Sequence, residues 1–178
     1  MANTAASSES SQWPEAIFDV LCDAGVTQVA YVPDAGLARL IELCHANDAM
    51  QSVALTSEEE GVALLSGAWL GGARGVLLMQ SSGVGNCINM LSIVQECRFP
   101  LLAIVTMRGE WAEFNPWQVP MGQGVARALA NAGVIVHHVD DAGDLAQTVA
   151  AASELAFNAF RAVAVSVSQR IVGGKDWK

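Results

Sequence analysis

Six short apolar runs punctuate the chain, at residues 28–32, 52–55, 75–80, 101–106, 134–139 and 162–167. Most are continuous rather than alternating, the pattern of parallel strands covered on both faces. Between them, apolar spacings of three and four predict helices near 12–24, 36–47, 57–71, 85–97, 122–132 and 143–160. Terminus signals agree, with Pro14 just inside the first helix, Gly25 after it and Gly133 after the fifth. The alternation predicts a doubly wound α/β fold: a mostly parallel sheet of about six strands with helices on both faces. Residues 12–172 read as one domain, with a disordered tail at 1–11 and a short C-terminal tail at 173–178.

One segment breaks the rhythm. Between Thr106 and Met121 the chain has neither helical nor strand periodicity, yet it carries Trp111, Trp117, Pro116, Pro120 and Arg108. Structureless stretches of this length inside a compact domain are usually functional, and two tryptophans argue against disorder. In an open parallel sheet, ligands bind outside the carboxyl ends of the strands. The loops expected there are the turn after Val32, residues 56–58, residues 81–86, and this long segment.

Composition narrows the function. Of 178 residues, 52% are hydrophobic and 15% charged, and 18 acids against 9 bases leave a net charge of -9. An acidic chain without a basic run lacks the electrostatic footprint of a nucleic-acid binder. Its apolar content excludes a disordered protein, and its few charges leave little to cover the surface, which implies a partner chain or oligomer. No apolar run approaches the roughly 18 residues of a membrane span, and the first residues lack the pattern of a secretory signal, so a cytoplasmic location is expected. Cys22, Cys44, Cys87 and Cys97 form no CxxC pair and no cluster with histidine, so neither a metal site nor a disulfide framework is expected.

The run Ser57-Glu58-Glu59-Glu60 has the spacing of a capping box, in which acids simply serve a helix N-terminus. Angular position separates the three acids. At about 100° per residue, Val62, Leu65 and Trp69 form one apolar stripe, and Glu58 falls within about 20° of its centre. Glu59 lies at the flank of the stripe, and Glu60 opposite it, where it suits the cap. Glu58 therefore points into a core or an interface, which is costly for a carboxylate without a partner.

Other positions have bland and functional readings side by side. The glycines of Gln80-Ser81-Ser82-Gly83-Val84-Gly85-Asn86 permit close backbone approach, suiting either a phosphate or tight strand-to-helix packing. No dinucleotide or P-loop fingerprint accompanies them. Asp34 suits either a site or a cap on the helix at 36–47. Arg108 could grip an anion or pair with Glu110 or Glu113. His137 and His138 read as ordinary strand-end histidines.

Taken together, TSEEEGVALLSGAWLGG, LLMQSSGVGN and FPLLAIVTMRGEW followed by QVPMGQ resemble the pyrimidine-binding domain of thiamine diphosphate-dependent 2-oxoacid decarboxylases. The resemblance spans residues 13–172 and is strongest to sulfopyruvate decarboxylase alpha subunits, with phosphonopyruvate decarboxylases close. It implies that an acid at the start of the helix hydrogen-bonds N1′ of the aminopyrimidine and helps to activate the thiazolium. The family's glycine nine residues later matches Gly67, which places that role on Glu58, with Glu59 as the alternative register. It further implies that Pro33, Ser82, Gly83 and Asn86 border the cofactor, and that Asp34, Arg108 and Gln118 face an anionic substrate.

The family holds its diphosphate through Mg²⁺ with a GDG motif and a later asparagine. This chain has only Ala142-Gly143-Asp144. The resemblance thus implies thiamine diphosphate and Mg²⁺ as cofactors, with the metal held by a beta subunit that carries the GDG motif, in an alpha2beta2 or larger assembly. A carboxy-lyase subunit acting on sulfopyruvate or phosphonopyruvate is the expected function. The alternative is a non-catalytic regulatory domain binding a nucleotide at residues 82–86.

Overall fold

Every apolar run becomes a strand in the computed structural model, which describes residues 12–174. The strands are β1 (Val26–Tyr31), β2 (Gln51–Ala54), β3 (Arg74–Gln80), β4 (Leu101–Thr106), β5 (Ile135–Val139) and β6 (Ala162–Val167). All pair in parallel, in the order β2-β1-β3-β4-β6-β5. The central β4 and β6 are buried along their whole length, whereas the edge strand β2 is not. That is why the central runs are continuously apolar.

The side-chain period of two splits the core into two layers. Val76 and Leu78 of β3, Leu102 and Ile104 of β4 and Val163 and Val165 of β6 face one side. They pack there against α1 (Trp13–Asp23), α2 (Ala38–Ala46) and α7 (Leu145–Ala159). Leu77, Met79, Ala103, Val105 and Ala164 face the other. On that side lie α3 (Glu58–Leu70), α4 (Val84–Cys87), α5 (Leu91–Cys97) and α6 (Gln118–Asn131). Beyond β6, α8 (Gln169–Val172) packs Ile171 and Val172 against the first layer. Among the described residues no helix is long and apolar enough to cross a membrane. The expected tail at 1–11 and residues 175–178 lie outside the described residues.

The strand order reverses twice. β2 and β3 lie on opposite sides of β1, and β6 returns to lie between β4 and β5. Each reversal opens a crevice at the carboxyl ends of the strands, the place where such folds bind ligands. The loop after β4 and the segment after β6 meet at the second reversal.

Three elements differ from the sequence pattern. The helix expected over 85–97 is two short helices separated by a turn at 88–90. The helix expected at 122 begins at Gln118, because Pro120 falls in the first turn, where a missing N–H costs no hydrogen bond. The long loop is shortened accordingly. The helix expected at 36 begins at Ala38, behind Leu37 rather than under an Asp34 cap.

Ile104 is fully buried at the centre of the sheet, while Ile135 on the edge strand β5 is 38% exposed. Ile104→Ala is expected to cost about 2–5 kcal/mol and Ile135→Ala less than about 1 kcal/mol, read by equilibrium urea unfolding.

Candidate active site

Helix α3 starts with a complete capping box. The Ser57 side chain accepts from the Glu60 backbone, and Glu60 accepts from the backbone N–H groups of Ser57 and, at 2.9 Å, Thr56. Glu60 is thus committed to the cap and lies exposed, Glu59 is half-buried at the flank, and Glu58 is only 7% exposed on the apolar stripe. The Glu58 carboxyl has one side-chain donor, the Asn86 amide, whose Nδ2 lies 2.8 Å from Oε2. Against its other side sits Gly83. A Cβ there would overlap the carboxyl group, so only glycine leaves room for it.

The glycine turn therefore faces a carboxyl group. A phosphate seated on the same surface would meet Glu58 at close range, and like charges in a half-buried site repel strongly. The helix it leads into, α4, has a single turn. These features argue against a nucleotide cradle at residues 82–86. Ser82 is exposed and donates to Gln80 Oε1 at 2.8 Å, while the buried Ser81 hydroxyl accepts from the Arg108 backbone at 3.0 Å.

Asp34 ties together the carboxyl ends of three strands. Its carboxylate accepts from Gln80 Nε2 at 2.9 Å, Thr106 Oγ1 at 2.7 Å and the Gly36 backbone at 3.1 Å. Gln80 ends β3 and Thr106 ends β4, so the side chain that could have capped α2 is drawn to its neighbouring strands instead. Pro33 lies exposed beside it.

The long loop is held from within. Arg108, 7% exposed overall, forms a two-pronged pair with Glu113, with Nε 2.7 Å from Oε2. Glu113 also accepts from the Gly109 and Asn115 backbones and from Gln169 Nε2 at 2.9 Å. The Gln169 side chain, 1% exposed, turns its oxygen to the backbone N–H groups of Glu110 and Trp111. The hydrogen bonds from Arg108, outweighing burial, hold the Glu113 carboxyl down at about 2, and Glu113 raises Arg108 in return. The fork that would grip an anion is closed on Glu113.

The start of α6 presses onto this loop. Gly109 has a φ of +77° beneath the Gln118 carbonyl, and a Cβ on Gly122 would overlap the Arg108 carbonyl. Gln118 is thereby placed beside the loop, with its Oε1 buried and lacking a hydrogen-bond partner among the described residues. A cavity of about 220 Å³ lies between Asp34, Arg108 and Gly173. The structure thus gathers Asp34 and Arg108 around one cavity, and Glu58, Gly83 and Asn86 into a second group. Among the described residues no cluster of three or more His, Cys, Asp or Glu side chains could hold a metal ion.

Sequence reasoning passed over two features. Gln169 carries no periodic or motif signal, and its role emerges only from the meeting of two loops. His138, read as an ordinary strand-end residue, stands opposite Ser166 in the β5–β6 register and meets its hydroxyl at 2.9 Å. Its Nε2 faces Asp140 at 3.4 Å and Glu110 at 4.0 Å, at a second cavity of about 430 Å³.

Because Glu113 is held below the ordinary 4.5, its contribution to stability is present above that value and lost as the pH falls towards 2. Thermal unfolding across this range is expected to lose part of its acid dependence in Glu113→Gln. Arg108→Ala, which leaves a buried carboxylate unpaired, is expected to cost about 3–5 kcal/mol at neutral pH.

Comparison with known proteins gives the family. Residues 12–114 match the family described as thiamine pyrophosphate enzyme, N-terminal TPP binding domain. The chain is 34% identical over 152 residues to the sulfopyruvate decarboxylase subunit alpha of Methanococcus maripaludis, covering 85% of this chain and 91% of that one. It is 41% identical over 90 residues to the phosphonopyruvate decarboxylase of Streptomyces viridochromogenes, covering 50% of this chain and 23% of the relative. The 2-oxoglutarate:ferredoxin oxidoreductase from Magnetococcus marinus superposes with a TM-score of 0.74 at 15% identity, over 90% of this chain and 29% of the other, which is a likeness of fold. A buried acid at the start of α3, a glycine turn packed against it and these matches along the chain lead to one assignment: the chain belongs to the thiamine pyrophosphate enzyme family, among the alpha subunits of its sulfopyruvate and phosphonopyruvate decarboxylase branch.

Proposed function

We propose that this chain is the alpha subunit of a thiamine diphosphate-dependent decarboxylase that releases CO₂ from sulfopyruvate, yielding sulfoacetaldehyde. The observation that carries the reading is Glu58, a carboxyl group withdrawn from water at the start of α3 and held there by Asn86. A group so placed can hold a proton at N1′ of an aminopyrimidine, and Gly83 leaves the room that the carboxyl group itself occupies. The cofactor, when bound, supplies the electron sink that a 2-oxoacid needs in order to lose CO₂. The residues fit that group: Glu58 as proton partner, Gly83, Ser82 and Asn86 along the turn, and Pro33 at the neighbouring strand end.

Substrate contacts fall to the residues around the cavity between Asp34, Arg108 and Gly173 and to the neighbouring Gln118. The Arg108–Glu113 pair carries no net charge, so Arg108 serves an anionic substrate by holding the loop that presents Gln118. Gln118 Oε1, at the start of α6, lacks a hydrogen-bond partner among the described residues and is the acceptor there that a donor on a bound molecule could meet. Asp34 fixes the floor of the adjoining cavity through its three donors. Phosphonopyruvate is the second reading, favoured by the 41% identity to a phosphonopyruvate decarboxylase.

The name of the Methanococcus relative, a subunit alpha, supports a separate beta chain. That chain would carry the GDG motif, the diphosphate and Mg²⁺ in an alpha2beta2 or larger cytoplasmic complex. Reconstituted with such a chain, Mg²⁺ and thiamine diphosphate, the protein is expected to release CO₂ from sulfopyruvate faster than from phosphonopyruvate. Glu58→Gln is expected to lower turnover by about 10²–10⁴-fold, and Glu59→Gln to leave it near wild type. Undiminished turnover in Glu58→Gln would remove the reading.

A further inference from the structure

The glycine turn that looks like a phosphate cradle in the sequence faces the Glu58 carboxyl group in the fold. We infer that Asn86 is a positioning residue that, together with the bare face of Gly83, dictates which oxygen of Glu58 carries the proton. The inference rests on the reading of Glu58 as the proton partner of the cofactor and adds to it the device that aims the carboxyl group.

The argument begins with valence. A free carboxyl group has two equivalent oxygens, and either can bind the proton. Asn86 Nδ2 lies 2.8 Å from Oε2 and can only donate. A proton on Oε2 would have to point away from this donor or turn the Asn86 amide over, so Oε1 is the oxygen favoured to carry the hydrogen. Oε1 is also the oxygen that lies against Gly83, where any Cβ would displace it. No other hydrogen bond to the Glu58 carboxyl occurs among the described residues, so its orientation depends on this one donor.

The same donor acts on the charge. Burial disfavours the ionised carboxylate, whereas a hydrogen bond donated to it favours that form. Asn86 is the donor placed to do so here, at 2.8 Å from Oε2. Two titratable side chains share the neighbourhood. Glu59 lies at the flank of α3. The Cys87 thiol of α4 is pushed up to about 12, chiefly by burial and further by Glu58 and Glu59, so it stays neutral and does not compete for the proton.

Asn86 is exposed and on a single-turn helix, so its replacement should not disturb the core. The full chain, labelled with ¹³C at the glutamate carboxyl carbons, is titrated by NMR, with the Glu58 signal assigned through its absence in Glu58→Gln. In Asn86→Ala the Glu58 pKa is expected to rise by about one unit or more, because the donor is gone. In Asn86→Asp the two carboxyl groups share a proton, and the Glu58 signal titrates in two steps. Gly83→Ala, which pushes the carboxyl away from Asn86, is expected to move the same signal while Asn86 is intact. A Glu58 titration identical to wild type in Asn86→Ala and Asn86→Asp overturns the inference. It does so even where Glu58→Gln abolishes turnover in the reconstituted enzyme. Undiminished turnover in Glu58→Gln instead removes the assigned function, whatever the titration shows.

Discussion

A carboxylate cannot leave water without a partner, and the carboxyl edge of this sheet withdraws three from full solvent contact. Asp34, Glu58 and Glu113 follow three different strands, β1, β2 and β4, and each has a different solution. Asp34 takes neutral donors from its neighbouring strands. Glu113 takes a full positive charge from Arg108 together with two backbone N–H groups and Gln169. Glu58 takes a single amide. The contrast sorts their roles. A carboxylate with several donors and a cation, such as Glu113, is held ionised and serves structure, while Glu58 keeps one oxygen without a hydrogen bond among the described residues.

The Arg108–Glu113 pair is linked through the loops to the turn beside Glu58. Arg108 continues from β4, its backbone donates to Ser81 on the glycine turn, and its side chain closes on Glu113. Gln169 then fastens the same loop to the segment after β6. The second reversal of strand order is thereby closed by polar contacts, and the start of α6 is pressed against the loop at Gly109 and Gly122. The long segment without periodicity is thus an ordered structure whose regularity lies in its hydrogen bonds.

Much of this was legible in the sequence, for a physical reason. Period and burial are local properties, so the six strands, the two-layer core and the inward aim of Glu58 follow from spacing alone. The assignment of Glu60 to the cap is equally local. The rest depends on contacts between distant residues. Whether Arg108 meets an anion or Glu113 could not be read from their separation, and Gln169 joins the network from 56 residues beyond Glu113. His138 finds Ser166 only because β6 inserts beside β5, an order that the alternation of elements does not specify. The start of α6 lies four residues before the position that apolar spacing predicts, because Pro120 occupies a first turn where its missing N–H costs no hydrogen bond. The cofactor itself was reached through resemblance, since a buried acid beside a glycine turn is compatible with more than one chemistry.

The central claim is that this chain supplies the proton-handling half of a site whose diphosphate-binding half lies on another chain. Calorimetric titration tests it most directly, with thiamine diphosphate and Mg²⁺ added to this chain alone, to a chain bearing GDG and a later asparagine, and to their mixture. The account predicts that the mixture binds the cofactor more tightly than either chain by itself, and that Glu58→Gln weakens the mixture. Equal affinity in this chain alone and in the mixture, or a mixture no tighter than the GDG-bearing chain, would contradict it.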